Sequence, residues 1–177
     1  MSTTPQSMLQ RLLGTHAFSG RVHWIAIRPA RGELTVLDRV EAVLGKGLVG
    51  DRYRGSSGTR EVTLVQFEHC AVLAALLQRA SVDPAILRRN IALSGISVAG
   101  LERARFRIGQ VVLEGTGPCH PCSKLDQDLG PGGYVAALGH GGITARVIEP
   151  GLITLGDKVE FLALRPLKRS TANKGQE

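Results

Sequence analysis

The chain has 177 residues, 43% of them apolar, enough for one domain with a buried core. Three cysteines do not make a secreted disulfide framework, and no apolar run reaches the about 18 residues that a membrane-spanning helix needs. The net charge is +7, with arginine about three times as common as lysine, so an anionic partner is expected; aromatics at 4% argue against a base-stacking nucleic-acid platform.

Residues 1–20 read as a polar extension with weak helical character around Met8, Leu9, Leu12 and Leu13. They lack the basic start, long apolar stretch and small-residue cleavage site of a signal peptide, so a cytoplasmic protein with reduced thiols and no membrane partner is expected. Arg21 to Ile27 reads as a strand with Val22, Trp24 and Ala26 on one side. A turn follows at Pro29-Ala30-Arg31-Gly32. From Leu34 to Leu44 the pattern alternates again, with Val36, Val40, Ala42 and Leu44 on one face. Gly45 to Gly58 is a Gly-rich loop carrying Asp51-Arg52-Tyr53-Arg54, and Arg60 to Val65 is a strand. Gln66 to Ala80 is the clearest helix, since Phe67, Val72, Leu73, Leu76 and Leu77 recur at helical spacing. Asp83-Pro84 starts a short helix, and Asn90 to Leu93 is extended. Arg105–Ile108 and Val111–Glu114 flank a turn at Gly109-Gln110. Gly130 to Gly133 opens a short helix through Leu138. Thr144–Glu149 and Lys158–Leu164 are strands, and 165–177 is a basic tail expected to be disordered. Many short strands, Gly-rich turns and one main helix predict a mainly β (α+β) fold, a barrel with helical additions, spanning 21–164 as one domain.

The chemistry concentrates in Gly117-Pro118-Cys119-His120-Pro121-Cys122-Ser123-Lys124. Two thiols three apart, stiffened by two prolines, point to a soft-metal or redox site. A thioredoxin-like dithiol needs its thiolate at the start of a long helix; here only Ser123 to Leu129 follows. A structural zinc site needs a second pair of ligands, from Cys70 and a histidine or from His120 and His140. The third reading is a thiolate ligand to molybdenum held in a turn, with Lys124 favouring the charged thiol. Cys70, inside its helix, reads as a buried small hydrophobe. His16, His23 and His69 lack motif context, while His140 lies in a flexible loop and could face a ligand. Gly45-Lys46-Gly47-Leu48-Val49-Gly50 matches a dinucleotide fingerprint, but the following loop composition makes it a turn, with Asp51 orienting Arg52 toward phosphate. Arg88-Arg89-Asn90 joins a helix end to a strand, where Arg can donate to phosphate and Asn can meet a heterocycle edge.

Together these segments resemble the MOSC domain, the module at the C-terminus of molybdenum cofactor sulfurases, over roughly Val22 to Phe161. The likeness is carried by Gly47 to Tyr53, Arg60 to Val65, Leu87 to Ile91, Phe106 to Gly109, Gly115 to Cys122, Gly141 to Val147 and Gly151 to Asp157. It is closest to stand-alone bacterial members. The resemblance implies a mixed β-barrel and a cysteine, Cys122 by position, that ligates molybdenum of the molybdopterin cofactor. It further implies cofactor contacts from Arg31, Arg52, and Arg88 with Asn90; relatives often carry Lys-Ser where this chain has Arg31-Gly32. Cys119, His120 and Lys124 flank the ligand and join the candidate cofactor-binding set. The implied activity is oxidoreduction, removal of oxygen from N-hydroxylated small molecules. The alternative is a sulfur carrier, a persulfide on Cys122 serving metal–sulfur cluster or cofactor assembly. The chain has no flavin, haem or iron–sulfur motif, so a separate electron-donor reductase is expected.

Overall fold

A computed structural model describes residues 7–52 and 57–165. Seven strands close into a barrel: β1 (Gly20–Ile27), β5 (Val62–Gln66), β6 (Ile91–Ser94), β7 (Ala104–Ile108), β8 (Val111–Pro118), β9 (Ile143–Glu149) and β11 (Lys158–Leu164). Around the barrel the order is β1-β11-β7-β8-β9-β5-β6, and β6 returns to β1. All neighbours are antiparallel except β5 and β6, paired in parallel with Leu64 opposite Ile91. A parallel pair needs a long crossover, and this one holds helix α2 (His69–Leu76) and a 3-10 turn at Pro84–Leu87. The expected mainly β mixed barrel is therefore what the chain forms.

Alternating side chains fill the barrel, with Ile25, Leu64, Ile91, Phe106, Ile108 and Leu113 each fully buried. A second apolar cluster lies outside the barrel wall. It gathers Leu73 of α2, Leu87, and Leu125 and Leu129 of helix α3 (Ser123–Leu129). Each such leucine stabilises the packing by about 1.5–3 kcal/mol relative to exposure. This cluster fixes the helix that follows the thiol turn.

Several local expectations need correction. The alternation from Leu34 to Leu44 is not one strand. It divides into β2 (Thr35–Val36), which extends β1, and β3 (Arg39–Val43), which pairs with β4 (Gly47–Leu48) and β10 (Gly151–Thr154) in a small sheet. The break falls at Leu37-Asp38, where Leu37 N–H donates to Ile25 and the Asp38 carbonyl accepts from Leu155. Val40 and Ala42 are buried as expected, but Val36 and Leu44 are exposed. Helix α2 stops short of Ala80 because Gln78 enters the left-handed region at φ 53°. Asp83 does cap its turn, accepting from Ala85 N–H at 2.7 Å. The short helix after Gly130 is α4 (Gly133–Ala136). Tyr53, Arg54 and residues 166–177 of the expected tail lie outside the described residues. Among the described residues no helix is long and apolar enough to cross a membrane.

Helix α1 (Met8–Leu13) precedes the barrel, closed by a capping box in which Ser7 accepts from Gln10 N–H and the Gln10 amide accepts from Ser7 N–H. His16 then stacks on Phe161 of β11, ring centres 4.7 Å apart. Burial holds the His16 pKa below the usual imidazole value, and burial followed by the nearby His140 does the same for His69. The sign follows directly: the fold prefers both rings neutral, while the unfolded chain protonates them near about pH 6.5. Their stabilisation is complete above that pH and is lost as pH falls through the lower folded values. Thermal melts are expected to drop from pH 7.5 to pH 5.5, with a flatter slope in His16→Asn and His69→Gln. A pH-independent melting temperature across that window would contradict this.

Candidate functional site

Strand β8 ends at Pro118 and delivers Cys119 and His120 into a turn, Pro121 packs inward, and Cys122 opens α3. The two thiols have opposite surroundings. Cys119 is 4% exposed, whereas Cys122 is exposed. Cys119 N–H donates to the Gly142 carbonyl at 2.8 Å, and Arg60 Nη2 donates to the Cys119 sulfur at 3.8 Å. Cys122 caps α3 through its backbone alone, accepting from Leu125 at 2.9 Å. Cys70 stays buried in α2 as expected, and burial pushes its thiol up to about 11, a protonated and inert state at neutral pH.

One buried cation holds this turn. Arg89 is 9% exposed and donates to four backbone carbonyls: Gly141 at 2.7 Å, Leu87 at 2.9 Å, Cys119 at 3.3 Å and His120 at 3.4 Å. Burial draws its pKa down, while the nearby sulfurs of Cys119 and Cys122 favour its charged form and Arg28 and Arg60 oppose it. Even so lowered, a guanidinium keeps its proton at working pH. Three arginines and both thiols therefore share one electrostatic neighbourhood.

A second group of charged residues sits where β1 ends, and the cavity it borders is not lined by the thiol turn. Arg28 Nη1 donates to the Arg88 carbonyl at 2.7 Å, and Nη2 reaches Asn90 Oδ1 at 3.3 Å and Asp51 at 3.5 Å. Its Nε is buried without a partner. Arg88 adopts a left-handed backbone at φ 57° and lies 3.9 Å from Asp128 of α3. Arg28, Leu34, Ile86, Arg88 and Asp128 line a cavity of about 400 Å³.

The predicted residues divide on these facts. Cys119, His120 and Cys122 share the turn, with Arg88 on the cavity wall beside α3. Asn90 is 1% exposed and its amide is spent within the protein: Oδ1 accepts from Thr63 N–H at 3.1 Å and Thr63 Oγ1 at 2.8 Å, while Nδ2 donates to Ala26 and Asp51. Its role is to tie β1, β5 and the Gly-rich loop together rather than to present a free amide. Lys124 pairs with Asp128 at 3.0 Å, four residues along α3. Arg31 is exposed at the hairpin turn, and Arg52 is exposed with its N–H donating to the Arg28 carbonyl. The Gly-rich segment forms β4 and a turn that presents Asp51 to Arg28 and Asn90, with no helix at its third glycine. His140 contacts His69.

Local reasoning left Arg28 and Arg60 out of the candidate set and gave Arg89, named in the Arg88-Arg89-Asn90 junction, no part distinct from Arg88's. Arg28 and Arg60 each lie one or two residues outside a strand end, a position where a side chain leaves the wall and meets the loops. That signal was available. For Arg89 it was not, because only the left-handed step at Arg88 turns its side chain inward.

The closed mixed barrel thus carries one exposed thiol, Cys122, on a turn held by the buried Arg89. Comparison with known proteins gives it a family. The model of the MOSC domain matches residues 45–160, and the chain belongs to the MOSC family. That family is associated with molybdenum cofactor binding. Similar solved structures include the YuaD protein of Bacillus subtilis, 21% identical with TM-score 0.69, covering 83% of this chain and 98% of that one. YiiM of Escherichia coli is 22% identical with TM-score 0.62, covering 81% and 70%. YiiM of Geobacillus stearothermophilus is 16% identical with TM-score 0.61, covering 86% and 77%. At these identities the likeness speaks to fold. A comparison with curated proteins returned no match.

Proposed function

We propose that this chain binds molybdenum cofactor with the Cys122 thiolate as the protein ligand to the metal, and that it reduces N-hydroxylated small molecules. One observation carries the reading: of three cysteines only Cys122 is exposed, on a turn clamped by Arg89. The donor set fits the group. A soft thiolate suits such a metal, and guanidinium groups suit an anionic, phosphate-bearing pterin. The buried, unpartnered Nε of Arg28 is a donor in search of an acceptor. Arg28, Arg60 and Arg88 would hold the anionic parts, with Arg31 and Arg52 on the flanking loops.

When bound, the cofactor supplies two-electron, oxygen-removing chemistry; an N-hydroxylated amine takes up two electrons and two protons and leaves as amine and water. The chain's own residues keep the thiol exposed and fixed. Arg89 holds the Cys119 and His120 carbonyls just before it and the Gly141 carbonyl of the facing loop, and the packed Leu125 and Leu129 keep α3 in place. Asn90 and Asp51 orient Arg28. The electrons come from a separate reductase.

Metal analysis of protein made in cofactor-competent cells tests this. Wild type and Cys119→Ser are expected to carry molybdenum, and Cys122→Ser almost none. Equal molybdenum in wild type and Cys122→Ser overturns the ligand assignment. Cyanolysable sulfur on Cys122 without molybdenum would instead support the sulfur-carrier alternative, which the same exposed thiol could serve.

A further inference from the structure

Away from the thiols, two histidines share one anomaly. The Nδ1 atoms of His69 and His140 are both buried and both lack a hydrogen-bond partner. The rings touch, with centres 4.3 Å apart and planes at 78°. They come from separate elements: His69 is the first residue of α2, and His140 lies in the loop between α4 and β9. The adjacent acid, Glu68, bonds neither atom. Glu68 is already engaged, accepting from Gln66 Nε2 at 2.5 Å and from Gly95 N–H at 2.8 Å. Buried polar atoms are rarely left unpaired, and two in one contact call for a common guest.

We propose that His69 and His140 form a binding site for an imidazole-preferring divalent transition-metal cation such as Zn²⁺, with water completing its coordination. Imidazole nitrogen is a favoured donor for such ions. Two imidazoles on one tetrahedral zinc at about 2.0–2.1 Å hold their ring centres roughly 5.2 Å apart, so the rings, now 4.3 Å apart, must part by about 1 Å as the ion enters. No third histidine, cysteine or carboxylate joins the pair among the described residues. The site is therefore open, and weaker than a four-ligand structural site.

Its position gives it a consequence. Gly141 and Gly142 directly follow His140, and their carbonyls accept from Arg89 and Cys119. A cation shared by His69 and His140 would fasten this loop to α2 and stiffen the thiol turn without touching either sulfur.

Zinc titration by calorimetry at pH 7.5 tests the proposal, using a Cys119→Ser/Cys122→Ser background so that thiols cannot compete. One ion per chain is expected, with affinity falling about tenfold or more in His69→Gln and in His140→Gln. The stacked His23 should be replaceable by Gln without effect. Unchanged affinity in both variants, or no binding in the background protein, overturns the site. Should a histidine variant fail to fold, Cu²⁺ added to the Cys119→Ser/Cys122→Ser protein gives a second readout: selective broadening of the His69 and His140 ring resonances supports the site. Broadening elsewhere alone refutes it.

Discussion

Arg89→Met is expected to cost the fold about 3–5 kcal/mol, a size reserved for broken buried charge networks. The guanidinium satisfies carbonyls of Leu87, Cys119, His120 and Gly141 at once. Methionine keeps much of the stem and none of the donors. Each acceptor left dry would cost about 1–3 kcal/mol, although those near exposed His120 can recruit water. Arg89→Lys should recover only part of the loss, because an ammonium is a point charge and not a planar fork. Urea unfolding gives the stability change. A second readout separates the local effect: under native conditions, alkylation of buried Cys119 should accelerate in Arg89→Lys, since two of the four bonds hold its own turn. Wild-type stability in Arg89→Met, or unchanged Cys119 reactivity in Arg89→Lys, would remove the clamp from the account.

The limits of sequence reasoning at this site have a physical origin. Strand existence was legible wherever alternation ran within one sheet, as in Arg105–Ile108 and Val111–Glu114, which pair across Gly109-Gln110. It misled between Leu34 and Leu44, because a period of two cannot report that the chain changes sheets at Leu37-Asp38. Strand β4 has two residues and no period to detect. The thiol turn was legible because its spacing is local. The separate parts of Arg88 and Arg89 were not, because the two are equivalent in composition and are set apart by the positive φ at Arg88. Lys124 is the opposite case: the acid four residues on, Asp128, was visible and predicts the ion pair that forms. Asn90 combined both problems. Its type suits a ligand edge, yet its amide is consumed by Thr63, Ala26 and Asp51, residues distant in sequence.

The loop opposite the thiol turn offers a paired test of how tightly the site is built. Gly139 and Gly142 have nearly the same left-handed backbone, φ 79° and 81°. A Cβ at Gly139 would meet nothing within 4 Å, whereas at Gly142 it would lie 1.9 Å from the Leu64 carbonyl oxygen and 2.9 Å from Val65 Cα. Gly139→Ala should therefore pay only the conformational penalty, about 1–2 kcal/mol. Gly142→Ala carries that penalty and must also push the loop off β5, for a total of roughly 3–5 kcal/mol. The displaced carbonyl is the one that accepts from Cys119 N–H, so the shift reaches the thiol turn directly. Molybdenum content should accordingly fall in Gly142→Ala while Gly139→Ala stays near wild type. Denaturant midpoints measure the first difference and metal analysis the second. Equal losses in the two variants would mean that backbone strain alone, and not the close approach of this loop to β5, governs the site.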